Sequence, residues 1–250
     1  MTRVLVPMLS VAVLAAAGPR ATAQEPKDLI AKGIKAHGGE EALTKYQAAT
    51  MKNKGTIDLP GVGKIEFTQE VSYMLPDKFR DSTDLTINGM NISVLTLVNG
   101  DTISLELNGN KMDPPEAAKT ALKDVRHLLK VGRLVPLVKE KGYEFAPIGE
   151  AVVEGKPAVG VRVSAKDRKD VSLYFDKETG LLAKLEHRTA KAGTGEEVTE
   201  ERIIVGYQKT KQDLPIPKKV IVKHDGTTFL EVEVQEADFL EKIDDGQFKK

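Results

Sequence analysis

Alternation of apolar and polar residues with a period of two runs through most of this chain and is clearest from Asp170 to Arg188. There Val171, Leu173 and Phe175 alternate with Ser172, Tyr174 and Asp176, the period of a strand with one face in a core. Lys177-Glu178-Thr179-Gly180 supplies a turn, with Gly180 free to take a positive φ. In the return arm Leu181, Ala183 and Leu185 alternate with Leu182, Lys184 and Glu186. The pattern predicts a structural hairpin in which Leu173, Phe175, Leu181 and Leu185 are buried together while Tyr174 and Lys184 point outward.

The same period predicts strands over 50–59, 64–75, 79–87, 92–98, 143–153, 157–164, 198–207, 218–224 and 227–235. In the second of these Ile65, Phe67, Val71 and Tyr73 share one face, and Glu66, Thr68, Glu70 and Ser72 the other. Asn88-Gly89, Asn99-Gly100, Asn108-Gly109 and Asp225-Gly226 mark hairpins, because a type I′ turn needs positive φ at both central residues. The run 92–98 is apolar on both faces, which predicts a strand covered on both sides.

Two stretches have helical spacing instead. Leu29, Ile30, Gly33 and Ile34 predict an amphipathic helix over 25–35, with Pro26 and Asp28 in its opening turn and a further short turn of helix at 40–46. His37 follows the first helix, where a protonated imidazole suits the carbonyl end. Farther on, Ala118, Leu122, Val125, Leu128 and Leu129 form one stripe after Pro114-Pro115-Glu116. Gly132 and Pro136 interrupt it, and Leu134, Val135, Leu137 and Val138 continue as a second short helix. A helical insert at 114–141, between two runs of strands, is where a lid over a concave sheet would sit. With no repeat and no linker in view, residues 24–250 read as a single domain.

Composition narrows the classes. The 250 residues are 40% hydrophobic and 30% charged, which is globular rather than disordered. Lys+Arg 37 balances Asp+Glu 37, which argues against a nucleic-acid partner. Arg3, the apolar run from Val4 to Ala17 and the Ala21-Thr22-Ala23 cleavage pattern predict a signal peptide over 1–23 and a mature chain starting at Gln24, exported to the periplasm or secreted. There is no cysteine, so neither a disulfide nor a lipidated cysteine is expected.

Little in the sequence announces chemistry. His37, His127, His187 and His224 fall in four predicted elements, and none pairs with another at metal-ligand spacing. Ser164, Ser172 and His187 lie near one another, but no G-x-S-x-G elbow surrounds either serine. The pairs Glu200-Glu201 and Asp244-Asp245 read as solvated surface. Lys209, Lys211, Lys218, Lys219 and Lys223 form the best basic patch, read as a guard on an edge strand or as a docking surface for an anionic membrane or an acidic envelope protein. No cofactor and no metal are expected, and an enzyme would need a buried, convergent His–carboxylate pair.

Several patches taken together resemble the outer-membrane lipoprotein-sorting, or LolA-like, family. Leu29 to Leu43 is similar to its opening helix with a Gly-Gly break. Leu75-Pro76-Asp77-Lys78-Phe79-Arg80 and Val98-Asn99-Gly100-Asp101 resemble its next strand start and turn. Gly149 to Gly160, with Tyr174 to Lys184, resembles its most recognisable hairpin, and Gly206-Tyr207 with Leu214-Pro215-Ile216-Pro217-Lys218 its penultimate strand start. Where the carrier of that family has a basic residue before the proline, Leu75 stands here, and Thr102 or Ile103 stands where a tryptophan is common.

The resemblance implies a mainly β (α+β) fold: a curved antiparallel sheet forming an unclosed β-barrel, with helices covering the concave side. It also implies a non-enzymatic carrier, monomeric, that takes a lipid acyl chain or lipoprotein. The expected cavity residues are Ile65, Phe67, Val71, Tyr73, Leu85, Ile92 and Val94 on the sheet, with Val125, Leu128 and Leu129 on the lid. The alternative is a structural or sensory envelope module with a collapsed cavity that binds another protein.

Overall fold

The computed structural model describes residues 25–114, 116–191 and 195–249, and of residues 116–123 the backbone only. The signal-peptide segment and the side chains of Ala118 and Leu122 lie outside the described residues.

Two short helices, α1 (Pro26–Ala36) and α2 (Gly39–Lys45), precede six strands: β1 (Ala48–Leu59), β2 (Gly63–Met74), β3 (Lys78–Ile87), β4 (Met90–Asn99), β5 (Thr102–Leu107) and β6 (Asn110–Met112). The insert follows as α3 (Glu116–Gly132) and α4 (Val135–Lys139). Seven strands complete the sheet: β7 (Tyr143–Val153), β8 (Lys156–Ala165), β9 (Val171–Asp176), β10 (Leu182–Ala190), β11 (Glu197–Lys209), β12 (Pro215–His224) and β13 (Thr227–Leu240). A 3-10 turn, Asp245–Phe248, ends the described chain.

All thirteen strands join one antiparallel sheet in the order β6-β5-β4-β3-β2-β1-β13-β12-β11-β10-β9-β8-β7. Two meanders are therefore joined where the first strand pairs with the last, Ala49 opposite Phe239 and Gly55 opposite Val232. Strands β6 and β7 form the two edges and do not pair with each other, so the curved sheet is an unclosed barrel with helices on its concave side.

Helix α1 opens on Pro26 with Asp28 in its first turn, and buries Leu29, Ile30, Gly33 and Ile34. These meet Leu128, Val131, Leu134 and Leu137 of the insert and Val161, Val163, Val171, Leu173, Phe175 and Leu185 of the sheet in one filled core. Gly33 is what permits the approach: a Cβ there would stand 2.6 Å from the Phe175 ring.

The hairpin at 170–188 forms, with one change of phase. A bulge between Leu182 and Lys184 places Leu182, not Leu181, in the core beside Leu173, Phe175 and Leu185. Lys184 and Tyr174 stay on the other face, with the ammonium 4.5 Å from the ring centroid.

Asn88-Gly89, Asn108-Gly109 and Asp225-Gly226 adopt positive φ at both residues, as type I′ turns require. At Asn99-Gly100 only the glycine does, and Asn99 pairs with Thr102, so the turn is centred one residue later, on Gly100-Asp101. Glycine at the first central position is the II′ arrangement.

Strand β4 is not covered along both faces as expected: its inward Ile92 and Val94 stay half-buried, and α3 lies along β10 instead. The final 3-10 turn crosses β3 and β4 on the outer face, where Leu95 and Leu97 border a hollow with Gly246 and Gln247. Phe248 from that turn is buried with Ala48 and Ile243.

His37 caps α1 and contacts the Gly33 carbonyl through Nδ1 at 2.8 Å and the Tyr207 hydroxyl through Nε2 at 3.3 Å. Burial, aided by nearby Arg133, holds its pKa below the ordinary value despite the Gly33 bond. The fold thus favours the neutral imidazole, contrary to the expectation from the helix end alone.

Candidate ligand-binding face

Strand register decides which side chains look inward on the half of the sheet that runs from β12 through β13 and β1 to β6. Ile57 is opposite both Ile65 and Leu230, and Gly55 opposite both Phe67 and Val232. Phe67 is opposite Leu85, and Leu85 opposite Ile92. Val94 is opposite Leu107, and Leu105 opposite Met112. The alternation puts all of these on the face that carries Val71 and Tyr73, and so builds a largely apolar wall. Gly55 contributes by absence, since a Cβ there would stand 2.7 Å from the Phe67 ring, which lies across it.

Of the expected cavity residues, Phe67, Val71 and Tyr73 are buried, while Ile65, Leu85, Ile92 and Val94 are half-buried. Toward the β6 edge the wall opens further: Leu107 is 38%, Met112 47% and Met90 64% exposed. Tyr73 packs with Ala49, Leu214, Ile216 and Phe239, and with Ala42 of α2. Leu128 belongs elsewhere, in the filled core over β8–β10, with Val125 and Leu129 half-buried beside it on α3. The structure gathers the sheet positions on one wall and the helix position Leu128 in a separate core.

A polar line crosses the wall. Asn53 donates to Gln69 Oε1 at 2.9 Å, Gln69 donates to Asp81 Oδ2 at 2.8 Å, and Thr83 donates to Asp81 Oδ1 at 2.7 Å. Burial raises the Asp81 pKa against these two hydrogen bonds. Sequence reading missed this line. Its signal is a polar residue at an inward position in each of three neighbouring strands, visible only once register is known.

A second polar cluster lies on the same face of β10–β12. Register aligns His187, Glu200 and His224 across three strands. The imidazole Nε2 atoms stand 3.2 Å and 3.1 Å from the two Glu200 oxygens, and Arg202 Nε donates to Oε1 at 2.7 Å. Glu200 is buried rather than solvated, and its neighbour Glu201 faces the other way and pairs with Lys184. Burial alone would raise the Glu200 pKa. The His187 bond, the Arg202 charge and bond and the His224 bond outweigh it and hold the carboxyl far below its usual range. So weak a base, with three donors already on it, suits cross-linking of strands better than proton transfer.

A hollow of about 880 Å³ is lined by Gly55, Phe67, Leu85 and Ile92 of the wall together with charged side chains from neighbouring positions. There Lys54, Lys64 and Lys219 are paired with Glu231 and Glu233. In the sequence-predicted lysine patch, Lys209, Lys211 and Lys219 have acidic partners, while Lys218 and Lys223 have no ion pair among the described residues. Among the described residues no three His, Cys, Asp or Glu side chains are placed to hold a metal ion.

No family model and no curated protein matches the sequence. Solved structures do match the fold. A LolA superfamily protein from Nitrosomonas europaea aligns over 90% of this chain and 97% of its own, with a TM-score of 0.55 at 8% identity. A DUF1329 family protein from Desulfovibrio piger aligns over 90% and 97%, with a TM-score of 0.55 at 9% identity. A Vibrio parahaemolyticus domain described as belonging to an outer membrane lipoprotein-sorting protein aligns over 91% and 97%, with a TM-score of 0.54 at 9% identity. The architecture of this chain is that of the LolA-like half-barrels.

Proposed function

We propose that this chain is an exported, non-enzymatic carrier that holds the acyl part of a lipid or lipoprotein against the inner wall of β1–β5 and β12–β13. The observation that carries the reading is the wall itself. Apolar side chains from successive strands are aligned by register, and those toward β6 stand partly in water. An apolar face of that kind marks an interaction site. Each CH₂ taken out of water against it contributes about 0.8 kcal/mol. The LolA-like fold and the predicted signal peptide agree with this role in the cell envelope.

The test is uptake of a fluorescent long-chain fatty acid by the mature protein. Wild type is expected to take up the probe, and Ile92→Asp to lose at least about tenfold in affinity. No uptake by wild type sinks the carrier. A second reading, an envelope module that binds another protein, is favoured by the filled core under α1, α3 and α4, where Leu173 and Val161 are fully buried and leave no room for a chain.

A further inference from the structure

A second hollow, about 830 Å³, opens where the last turns of α3 cross from the β4–β5 turn to the start of β7 and the β8–β9 turn. Its lining is basic. Arg126, Lys130, Lys141, Lys166 and Arg168 stand there against Asp101 and Asp167, in a chain whose overall charge is balanced. Arg126 donates to the Gly100 carbonyl at 2.7 Å and lies 3.5 Å from Asp101, and Lys130 pairs with Glu140 at 2.5 Å. Lys141, Lys166 and Arg168 have no ion-pair partner among the described residues. At the same hollow His127 has a buried Nε2 without a hydrogen-bond partner. Burial first, and then the nearby Arg168 charge, lower the pKa of that imidazole.

The place of this hollow in the fold matters as much as its charge. Tyr143 both lines it and packs on the filled core. Asp101 on its rim follows the end of β4, whose inward residues run from buried Val98 past Thr96, opposite Asp81, to Val94 and Ile92 on the open part of the wall. Six residues of antiparallel strand span about 20 Å. A cationic mouth at one end of an apolar wall of that length matches a molecule with an anionic head and a long tail.

Building on the carrier reading above, we propose that this mouth binds the phosphate-class head group of an anionic amphiphile whose tail lies on the wall. Arg168, Lys166 and Lys141 would supply charge-assisted hydrogen bonds to the phosphate oxygens.

Calorimetry on the mature protein with two single-chain probes of equal tail, dodecyl phosphate and dodecyl maltoside, tests this below their micelle concentrations, with inorganic phosphate as a third ligand. Wild type should bind dodecyl phosphate about tenfold tighter than the maltoside. Lys166→Glu with Arg168→Glu, both on an exposed turn, should erase the difference while leaving maltoside binding unchanged. Lys141→Glu alone should narrow it and serves if the double variant does not fold. Equal binding of the two probes by wild type, or a preference that survives charge reversal, overturns the proposal while maltoside binding still upholds the carrier. Inorganic phosphate bound as tightly as dodecyl phosphate overturns the amphiphile assignment in favour of a soluble-anion site. If in addition the maltoside does not bind, the carrier reading falls as well.

Discussion

Glu200 illustrates how much one residue's role depends on its register. Beside Glu201 in the sequence it reads as half of a solvated pair, yet the pleat sends the two carboxylates to opposite faces. Glu201 meets Lys184, and Glu200 meets two imidazoles and a guanidinium under cover. The linkage has a definite sign. The folded-state pKa lies far below the ordinary 4.5, so the contribution to stability is fully present above about pH 4.5 and is lost as pH falls below it toward the folded value. Glu200→Gln should cost on the order of 3 kcal/mol near neutral pH, since it leaves buried donors facing a neutral amide. The gap between variant and wild type in denaturant titrations should shrink steadily below pH 4.5; a gap that stays constant into acid would rule out this account. The three residues were legible one by one as polar positions in predicted strands. Their convergence was not, because it depends on cross-strand alignment that period alone does not encode.

At the scale of the element, the hairpin β9–β10 was the most legible part of the chain. Its alternation gave the strands, the turn and the buried face. The bulge between Leu182 and Lys184 escaped, because Leu181-Leu182 offers two leucines for one inward position and only the packed structure chooses between them. The helical insert escaped in another way. Its stripe announces an apolar partner but not which strands supply it, and the structure gives it β10 and α1 instead of β4. The tail at 242–250 read as charge alone, yet its one aromatic, Phe248, anchors it against Ala48 and Ile243. Phe175 now has a firm expectation. It is 2% exposed among α1, Leu134 and the β8–β10 strands, with Gly33 shaped to receive its ring. Phe175→Ala should cost about 3–5 kcal/mol and leave probe uptake intact, because the apolar wall lies elsewhere. Altered uptake at modest cost would show that the cavity reaches under α1 after all. Gly33→Ala should also destabilise, despite alanine's better helix propensity, because the added methyl would press on Phe175 and Leu134 in a core without slack.

For the whole molecule, the two halves of the sheet have different duties. Strands β7–β10 with the helices form a packed block, and β1–β5 with β12–β13 present a wall with apolar side chains partly in water. This division changes what the lid position Leu128 can report. A charge there enters the packed block, so Leu128→Asp should lower the melting temperature sharply whether or not a ligand binds. Leu85 and Ile92 are the cleaner probes, since each is half-buried on the wall. Ligand linkage then separates a carrier from a structural module without any assumption about lid motion. A ligand at a hundred times its Kd adds about 2.7 kcal/mol to the folded state. For a chain of this size that is a rise of roughly 5–10 °C in Tm. Wild type with saturating dodecyl phosphate should show this rise, while Ile92→Asp should keep nearly the wild-type Tm without ligand and lose most of the rise with it. A structural module would behave differently: the same amphiphile would leave Tm unchanged in both proteins, and only a protein partner would raise it. If Ile92→Asp instead unfolds the chain in the absence of ligand, then Ile92 is core, and the wall is a buried surface rather than a binding one.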